Sequence, residues 1–438
     1  MSVKFVACLA ISFLPLTTSP QAQRPHLSDA EIVRRVNAYV APLANHELSG
    51  TLLVARGNRI LVERALGFAN YELGVRFTPA TPTNVASITK PLTDIIAARL
   101  SDEKKLSWAD TVSKWLPNYV YGSKMTVTQL INHRAGVPHR LLPDSEQSQP
   151  RTAQEMVEIG NRVPLLFEPG DSTSYSSGGY SILAAVLERA GKQTYDELLQ
   201  HYVTIPVSAK TIRHVDSRMI LPGRASSAIP IGSGVMNASL KDLSFLVGAG
   251  SVYTTPHDIF LVMRGLVDGT YGASAREALL RPDGLHWNGV TNGFRAIADW
   301  YPADSLTLIF FSNLYTGAID LMRRDILHIV AGENVRTPVI PQVKPVALSP
   351  AAQRRLVGYY DVGGGQKGEV TFASPSLIVW FDRPLLAIND STFFSTTDYA
   401  TVRFPSDSSG TVSRIDWGPG TWATGDEHLR FPRVRTSR

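Results

Sequence analysis

The run Ser87-Ile88-Thr89-Lys90-Pro91 sets a hydroxyl and an amine three residues apart. If Ser87 opens a helix, that spacing puts both on one face, and the Lys90 amine reaches the Ser87 hydroxyl. A serine hydroxyl is a poor nucleophile at neutral pH. A lysine serves as its base only where burial or a neighbouring cation lowers its pKa enough to populate the neutral amine. The free N–H groups of a helix N-terminus stabilise negative charge beside Ser87, and Pro91 suits an early helical position, where a missing N–H costs little. Ser-x-x-Lys spacing alone arises by chance on many exposed helices, so the surrounding chain decides its meaning.

Upstream, Ser28 to Ala44 has helical spacing of apolar residues (Ile32, Val33, Val36, Tyr39, Val40), with Ser28-Asp29 as N-cap. Gly50 to Arg56 and Arg59 to Ala65 are β-rich runs joined across Gly57-Asn58, which predicts a hairpin. Downstream, Phe294 to Trp300 and Leu306 to Asn313 form a second strand pair. Helical patterns lie between, at Pro91 to Arg99, Val127 to Asn132, Tyr180 to Ala190 and Pro256 to Leu266. Strands at both ends with helices between predict one antiparallel sheet closed by early and late segments, an α+β layering. Prolines 338, 341, 345 and 350 mark residues 336–350 as a semi-rigid linker. Beyond it, short runs at Glu369 to Ala373, Leu377 to Phe381, Ala400 to Phe404 and Val412 to Trp417 predict a small all-β domain over 351–438, a barrel or meander.

Two further elements bear on the chemistry. Glu168-Pro169-Gly170 leads into Tyr175-Ser176-Ser177-Gly178-Gly179-Tyr180, a turn-rich loop running into an apolar helix. A tyrosine on such a loop can present its phenolic oxygen to a nucleophile as base or proton shuttle; the plainer reading is a turn tyrosine packed on the core. His286-Trp287-Asn288-Gly289-Val290 precedes Gly293-Phe294. As an edge strand it would line a cleft and offer the Val290 N–H as an oxyanion donor beside that of Ser87; as an Asn-Gly hairpin it would only turn the chain.

Together these elements resemble the serine β-lactamase and penicillin-binding protein superfamily, in the branch of class C β-lactamases, D-alanyl-D-alanine carboxypeptidases and family VIII carboxylesterases. Leu130-Ile131-Asn132-His133-Arg134-Ala135-Gly136-Val137 and Ala249-Gly250-Ser251-Val252-Tyr253-Thr254-Thr255-Pro256-His257-Asp258 are similar to supporting segments of that family. The resemblance covers about residues 28 to 330 and implies, for a hydrolase domain over 28–335, a β-lactamase/transpeptidase-like sandwich, with an antiparallel sheet flanked by helices and a helical lobe. The tail after 350 is similar to the lipocalin-like domain of many members. The resemblance implies Ser87 as the acylated nucleophile, Lys90 and Tyr175 as proton carriers, and the N–H groups of Ser87 and Val290 as the oxyanion hole. Trp287, Asn288 and Gly289 would line the substrate, Ser177 would replace a usual asparagine as a polar contact, and an adjacent register would bring His286 to the cleft as a proton donor.

Two departures shape the substrate reading. Members acting on β-lactams or peptidoglycan usually carry Tyr-x-Asn and Lys-Thr-Gly, whereas this chain has Tyr175-Ser176-Ser177 and Trp287-Asn288-Gly289. The absent lysine would hold a substrate carboxylate. An aromatic there is similar to family VIII esterases, so the first reading is an esterase-like hydrolase of small-molecule or peptide acyl substrates. A D-amino-acid peptidase, carboxypeptidase or β-lactamase using the same acyl-enzyme stands second. A non-catalytic descendant binding cell-wall fragments or a protein partner is set against by the intact Ser87, Lys90 and Tyr175.

With 44% apolar and 18% charged residues and a net charge of +5 spread over 438 residues, no nucleic-acid stripe or polybasic membrane patch is implied. Lys4, the apolar run Phe5 to Leu16 and Ser19-Pro20-Gln21-Ala22 read as a signal peptide over 1–22, so the expected product is exported, periplasmic or secreted, without an integral membrane segment. The single cysteine, Cys8, lies inside that signal, which excludes disulfides, thiolate metal sites and a Cys nucleophile in the mature chain. No His-Glu-x-x-His, Gly-x-Ser-x-Gly, P-loop or dinucleotide fingerprint is present; neither a metal nor a cofactor is called for.

Overall fold

The computed structural model describes residues 27–45, 48–230, 234–336, 343–363, 366–380, 383–418 and 429–434. The signal reading of 1–22, including Cys8, lies outside the described residues, as do linker residues 337–342. The chain forms two compact units. One comprises Ser49–Ala228 and Asn237–Tyr315; the other comprises residues up to Leu48, Ile229–Met236 and Thr316–Arg438.

The first unit is built on a five-stranded antiparallel sheet of β1 (Gly50–Arg56), β2 (Arg59–Leu66), β3 (Leu285–Thr291), β4 (Phe294–Tyr301) and β5 (Leu306–Ser312). Their spatial order is β3-β4-β5-β1-β2, so the early hairpin and the late strands close one sheet, as the sequence pattern requires. In the centre, β5 is buried along its whole length and β1 along all but its last residue. Strands covered on both faces read as continuous apolar runs, which is what Leu52-Leu53-Val54 and Leu308-Ile309-Phe310-Phe311 are. Each such side chain contributes about 1.5–3 kcal/mol on full burial.

The helices that position the site are α2 (Thr89–Asp102) and α3 (Ser177–Gly191), which pack against each other, and α4 (Pro256–Asp268), which packs on β1 and β5; the first of this numbering is α1 (Asp29–Val40) of the other unit. Thr255 caps α4 with its side chain at Asp258 N, with Pro256 in the first turn. The segment Leu285–Thr291 is a continuous edge strand, so Asn288-Gly289 is not a turn. The turn is Asn292-Gly293, both at positive φ (32° and 86°), which these residue types adopt at least cost.

The second unit joins α1 and α5 (Ala318–Val330) through Tyr39 Oη donating to Asp325 Oδ2 at 2.8 Å, and carries an eight-stranded antiparallel meander. Its strands β6 to β13 are Gly358–Gly363, Gln366–Ser374, Leu377–Trp380, Arg383–Ala387, Thr392–Ser395, Ala400–Arg403, Arg414–Trp417 and Leu429–Pro432. An isolated bridge from Tyr360 to Arg433, and Val434 N donating to Tyr359 O at 2.7 Å, bring the last strand round to the first. The result is a nearly closed barrel around Tyr360, Val370, Ile378, Leu385, Phe393 and Phe404. Thus the chain has an α+β β-lactamase-like fold with an all-β barrel.

Candidate active site

Ser87 sits on a 3₁₀ turn, Ala86–Ile88, immediately before α2 rather than inside its first turn. The cause is local. Ala86 adopts φ +47°, a region costly for a residue with a Cβ, and the Asn84 side chain accepts its N–H at 2.8 Å. Asn84 is itself held by donating to Gly250 O at 3.1 Å. The turn aims the Ser87 hydroxyl outward while the helix begins beneath it.

Lys90, in the first turn of α2, is 5% exposed. Its Nζ lies 3.3 Å from Ser87 Oγ, 3.1 Å from Ser177 Oγ and 3.1 Å from Ala249 O. A neutral amine fits this set: its two hydrogens go to Ala249 O and Ser177 Oγ, and its lone pair accepts from the Ser87 hydroxyl. Burial favours that form and brings the Lys90 pKa down to about 7, against the pull of the Asp94 carboxylate.

Tyr175 Oη donates to Ser87 Oγ at 2.8 Å. Its side chain is 47% exposed, so the phenol stands at the mouth of the site while Lys90 lies at its base. Lys90 Nζ is 4.7 Å from the Tyr175 ring centroid. Two histidines build the loop that carries this tyrosine: His133 Nδ1 accepts from Ser176 N, and His139 Nδ1 accepts from Ser177 N, both at 3.2 Å. Their rings lie 4.6 and 5.4 Å from the Tyr175 ring. Burial, then the charge on Lys90, pulls both imidazoles down to about 4, so both stay neutral acceptors at neutral pH.

The edge strand β3 closes the other side. A Cβ on Gly289 would collide with the Val85 carbonyl oxygen and come within 2.9 Å of Ser87 N, so only glycine lets this strand pass so close to the nucleophile turn. Val290 follows it, in register with Arg295. Alternation sends Trp287 to the same face as Gly289, where it is 9% exposed and part of the main apolar core. His286 and Asn288 point to the opposite face. His286 is tied within its own hairpin, with Nδ1 3.0 Å from Asp299 Oδ1 and Nε2 3.2 Å from Asp283 O. The structure therefore does not bring His286 to Ser87: the register sets its face, and the Asp299 pairing fixes its ring. Ser177 is placed differently from its expected role too, buried against the Lys90 amine. Glu168 is outside the site, exposed and paired with Lys124 at 3.2 Å.

One group in this neighbourhood escaped the sequence reading. Asp94, four residues after Lys90 on α2, receives the Tyr180 hydroxyl at 2.9 Å. Burial raises its carboxyl above the usual carboxylate range, against the opposing pulls of Tyr180, Lys90 and Arg281. A carboxylate four residues after the motif lysine, in the mostly apolar stretch Leu92 to Ala98, was the available signal.

A nucleophile turn before a helix, a buried lysine one turn on, a loop tyrosine and a glycine edge strand on an antiparallel sheet define a class of serine-hydrolase fold. The chain belongs to the beta-lactamase family, whose model matches residues 34–331. A penicillin-binding protein of Bacillus subtilis (strain 168) is 24% identical over 372 residues, covering 74% of this chain and 82% of that protein. The crystal structure of FmtA from Staphylococcus aureus aligns with a TM-score of 0.61 at 17% identity, over 71% of this chain and 89% of that one. D-amino acid amidase from Ochrobactrum anthropi SV3, complexed with L-phenylalanine amide, aligns with a TM-score of 0.59 at 18% identity, over 70% and 99%. No helix among the described residues is long and apolar enough to cross a membrane.

Proposed function

We propose that this chain hydrolyses neutral acyl substrates, esters foremost, through an acyl-enzyme on Ser87. The observation that carries the reading is the Ser87 hydroxyl held between the Tyr175 phenol at 2.8 Å and a buried Lys90 amine at 3.3 Å. Ser87 Oγ bonds to the substrate carbonyl carbon, and its proton passes to Lys90 and, by way of Tyr175, to the departing alkoxide. Water then adds to the acyl-serine ester, releasing the acid and restoring the Ser87 hydroxyl. The N–H groups of Ser87 and Val290 are the proposed oxyanion donors, favoured by the approach of β3 to the nucleophile turn. Trp287 stands where a carboxylate-binding lysine is usual, which favours substrates without a carboxylate. Amides of D-amino acids, which the amidase neighbour's name suggests, are the second substrate class served by the same residues. Export is proposed from the N-terminal run, Lys4 to Ala22.

The test is the intact mass of the purified protein after exposure to a fluorophosphonate, a short-chain nitrophenyl ester, D-phenylalanine amide and a penicillin, beside Ser87→Ala. A one-to-one fluorophosphonate adduct absent from the variant is the expected result. Fastest turnover of the ester supports the esterase reading, whereas fastest turnover of the amide or the penicillin replaces it. An unlabelled, folded wild-type protein would make it a binding protein instead.

A further inference from the structure

We infer that Asp94 is a positioning residue for Lys90: its carboxyl, one helical turn along α2, governs how readily the amine gives up its proton. This rests on the reading of Lys90 as the base for Ser87. Four residues apart on a helix, Lys90 and Asp94 share a face, and the rest of that stretch is apolar or small: Leu92, Thr93, Ile95, Ile96 and Ala97 are all buried. Tyr180 spans the two groups. Its hydroxyl lies 2.9 Å from Asp94 Oδ1 and 3.3 Å from Ile131 O, and its ring centroid lies 5.4 Å from Lys90 Nζ.

A phenol has one hydrogen to give, and here two acceptors face it. With Asp94 ionised, the hydrogen goes to the carboxylate. With Asp94 protonated, the carboxyl donates to the phenol oxygen and the phenol hydrogen turns to Ile131 O. The cluster therefore has two hydrogen-bond arrangements that differ by one proton on Asp94. They sit beside an amine that must itself change by one proton for Ser87 to react.

The other charged and titratable groups facing the pair leave that role to Asp94. Lys90 faces the phenols of Tyr175 and Tyr180 and the imidazoles of His133 and His139, which burial keeps neutral at working pH. Asp94 faces Lys90, the phenols of Tyr180 and Tyr195, and Arg281. Burial drives the amine towards neutrality, and an ionised Asp94 opposes it. Two groups so placed titrate as a pair, and removing the carboxylate leaves a lysine that deprotonates at lower pH.

The experiment is the pH dependence of the rate of fluorophosphonate labelling of Ser87 in the full-length protein. In Asp94→Asn the acid limb is expected to move to lower pH by about one unit, the size of an interaction between charges several ångströms apart in a partly screened site. Tyr180→Phe withdraws the bond that favours ionised Asp94, so its limb moves the same way by less. Asp94→Glu keeps the charge and restores the limb towards wild type. A folded Asp94→Asn variant with an unmoved limb, or one moved to higher pH, overturns the inference. An NMR titration of ε-¹³C lysine reads the Lys90 midpoint without any reaction, and an unchanged midpoint in both variants overturns it equally. Failure of the wild type to label at all would instead strike the nucleophile reading.

Discussion

Tyr175 and Lys90 divide the work at Ser87 by their exposure. The amine, at 5% exposed, is brought by burial to a pKa of about 7, so that a share of it is uncharged at neutral pH; the phenol, at 47% exposed, stands at the mouth of the site. Removing only the phenolic oxygen leaves the ring against those of His133 and His139, so Tyr175→Phe isolates the proton-carrying role. Turnover of a nitrophenyl ester is expected to fall by roughly 10²- to 10⁴-fold, with KM little changed, as loss of a general acid–base group does. A fall in KM-dependent binding alone would return Tyr175 to a packing role. His286 makes a different residue-scale contribution. Its bond to buried Asp299 raises the imidazole pKa above its ordinary value, so the group is stabilising while protonated in the folded state. That contribution is complete below the unfolded pKa of about 6.5 and is lost as pH rises through the higher folded value. Melting temperatures of wild type from pH 6 upward should therefore decline more steeply than those of His286→Gln, while ester turnover in the variant stays near wild type.

Among the elements, β3 is constrained by its close approach to the nucleophile turn. Gly289→Val would drive a side chain into the Val85 carbonyl and the Ser87 amide, displacing the nucleophile turn or the edge strand. A misplacement of about 1 Å costs on the order of 10²-fold in rate, so kcat/KM should drop at least that far while far-UV circular dichroism is retained. Unchanged kinetics would show that β3 can move away from Ser87 without consequence. This strand also marks where the sequence was readable. The hairpin across Gly57-Asn58 and the buried runs of β1 and β5 depend on local period and stand where the pattern placed them; the motif residues Ser87, Lys90 and Tyr175 lie within hydrogen-bond distance, with Ser87 on a 3₁₀ turn just before α2. Which face of β3 each residue occupies depends on register against β4, a non-local pairing, and so His286 and Asn288 were expected at the cleft but lie on the other face. Ser177 and Asp94 were missed as partners of Lys90 and Tyr180 for the same reason: their bonds join segments about 90 residues apart. Seven of the eight barrel strands are only four to six residues long, so a period of two shows weakly in them, and Arg383–Ala387 and Thr392–Ser395 were not read from the sequence.

At the scale of the whole molecule, the compact units do not follow the chain's order. A cut in the Pro-rich stretch would leave residues 28–335 as a separate piece, yet α5 within that piece belongs to the same compact unit as the barrel. The link is specific. Gly317, at the N-terminus of α5, donates its N–H to Thr397 O at 2.7 Å, and the Thr316 hydroxyl donates to the same oxygen at 3.0 Å. Helix N-termini carry N–H groups without intrahelical partners; Thr316 Oγ1 accepts that of Ala318 at 3.1 Å, and Thr397 O takes that of Gly317, which has no side chain to cap with. Gly317 also sits so close to Asp398 that an added Cβ would come within 2.9 Å of its carboxylate. A chain ending at Arg336 loses both bonds and uncovers that helix end. At about 1 kcal/mol for each hydrogen bond, and about 1–2 °C per kcal/mol for a chain of more than 300 residues, its melting temperature should lie roughly 3 °C below that of the full chain. Fluorophosphonate labelling of Ser87 would persist below that temperature, since every group bonded to Ser87 and Lys90 lies in the other unit. Equal melting temperatures would instead mean that α5 holds its first turn without the barrel, and that the barrel is a module attached to the hydrolase rather than part of its support.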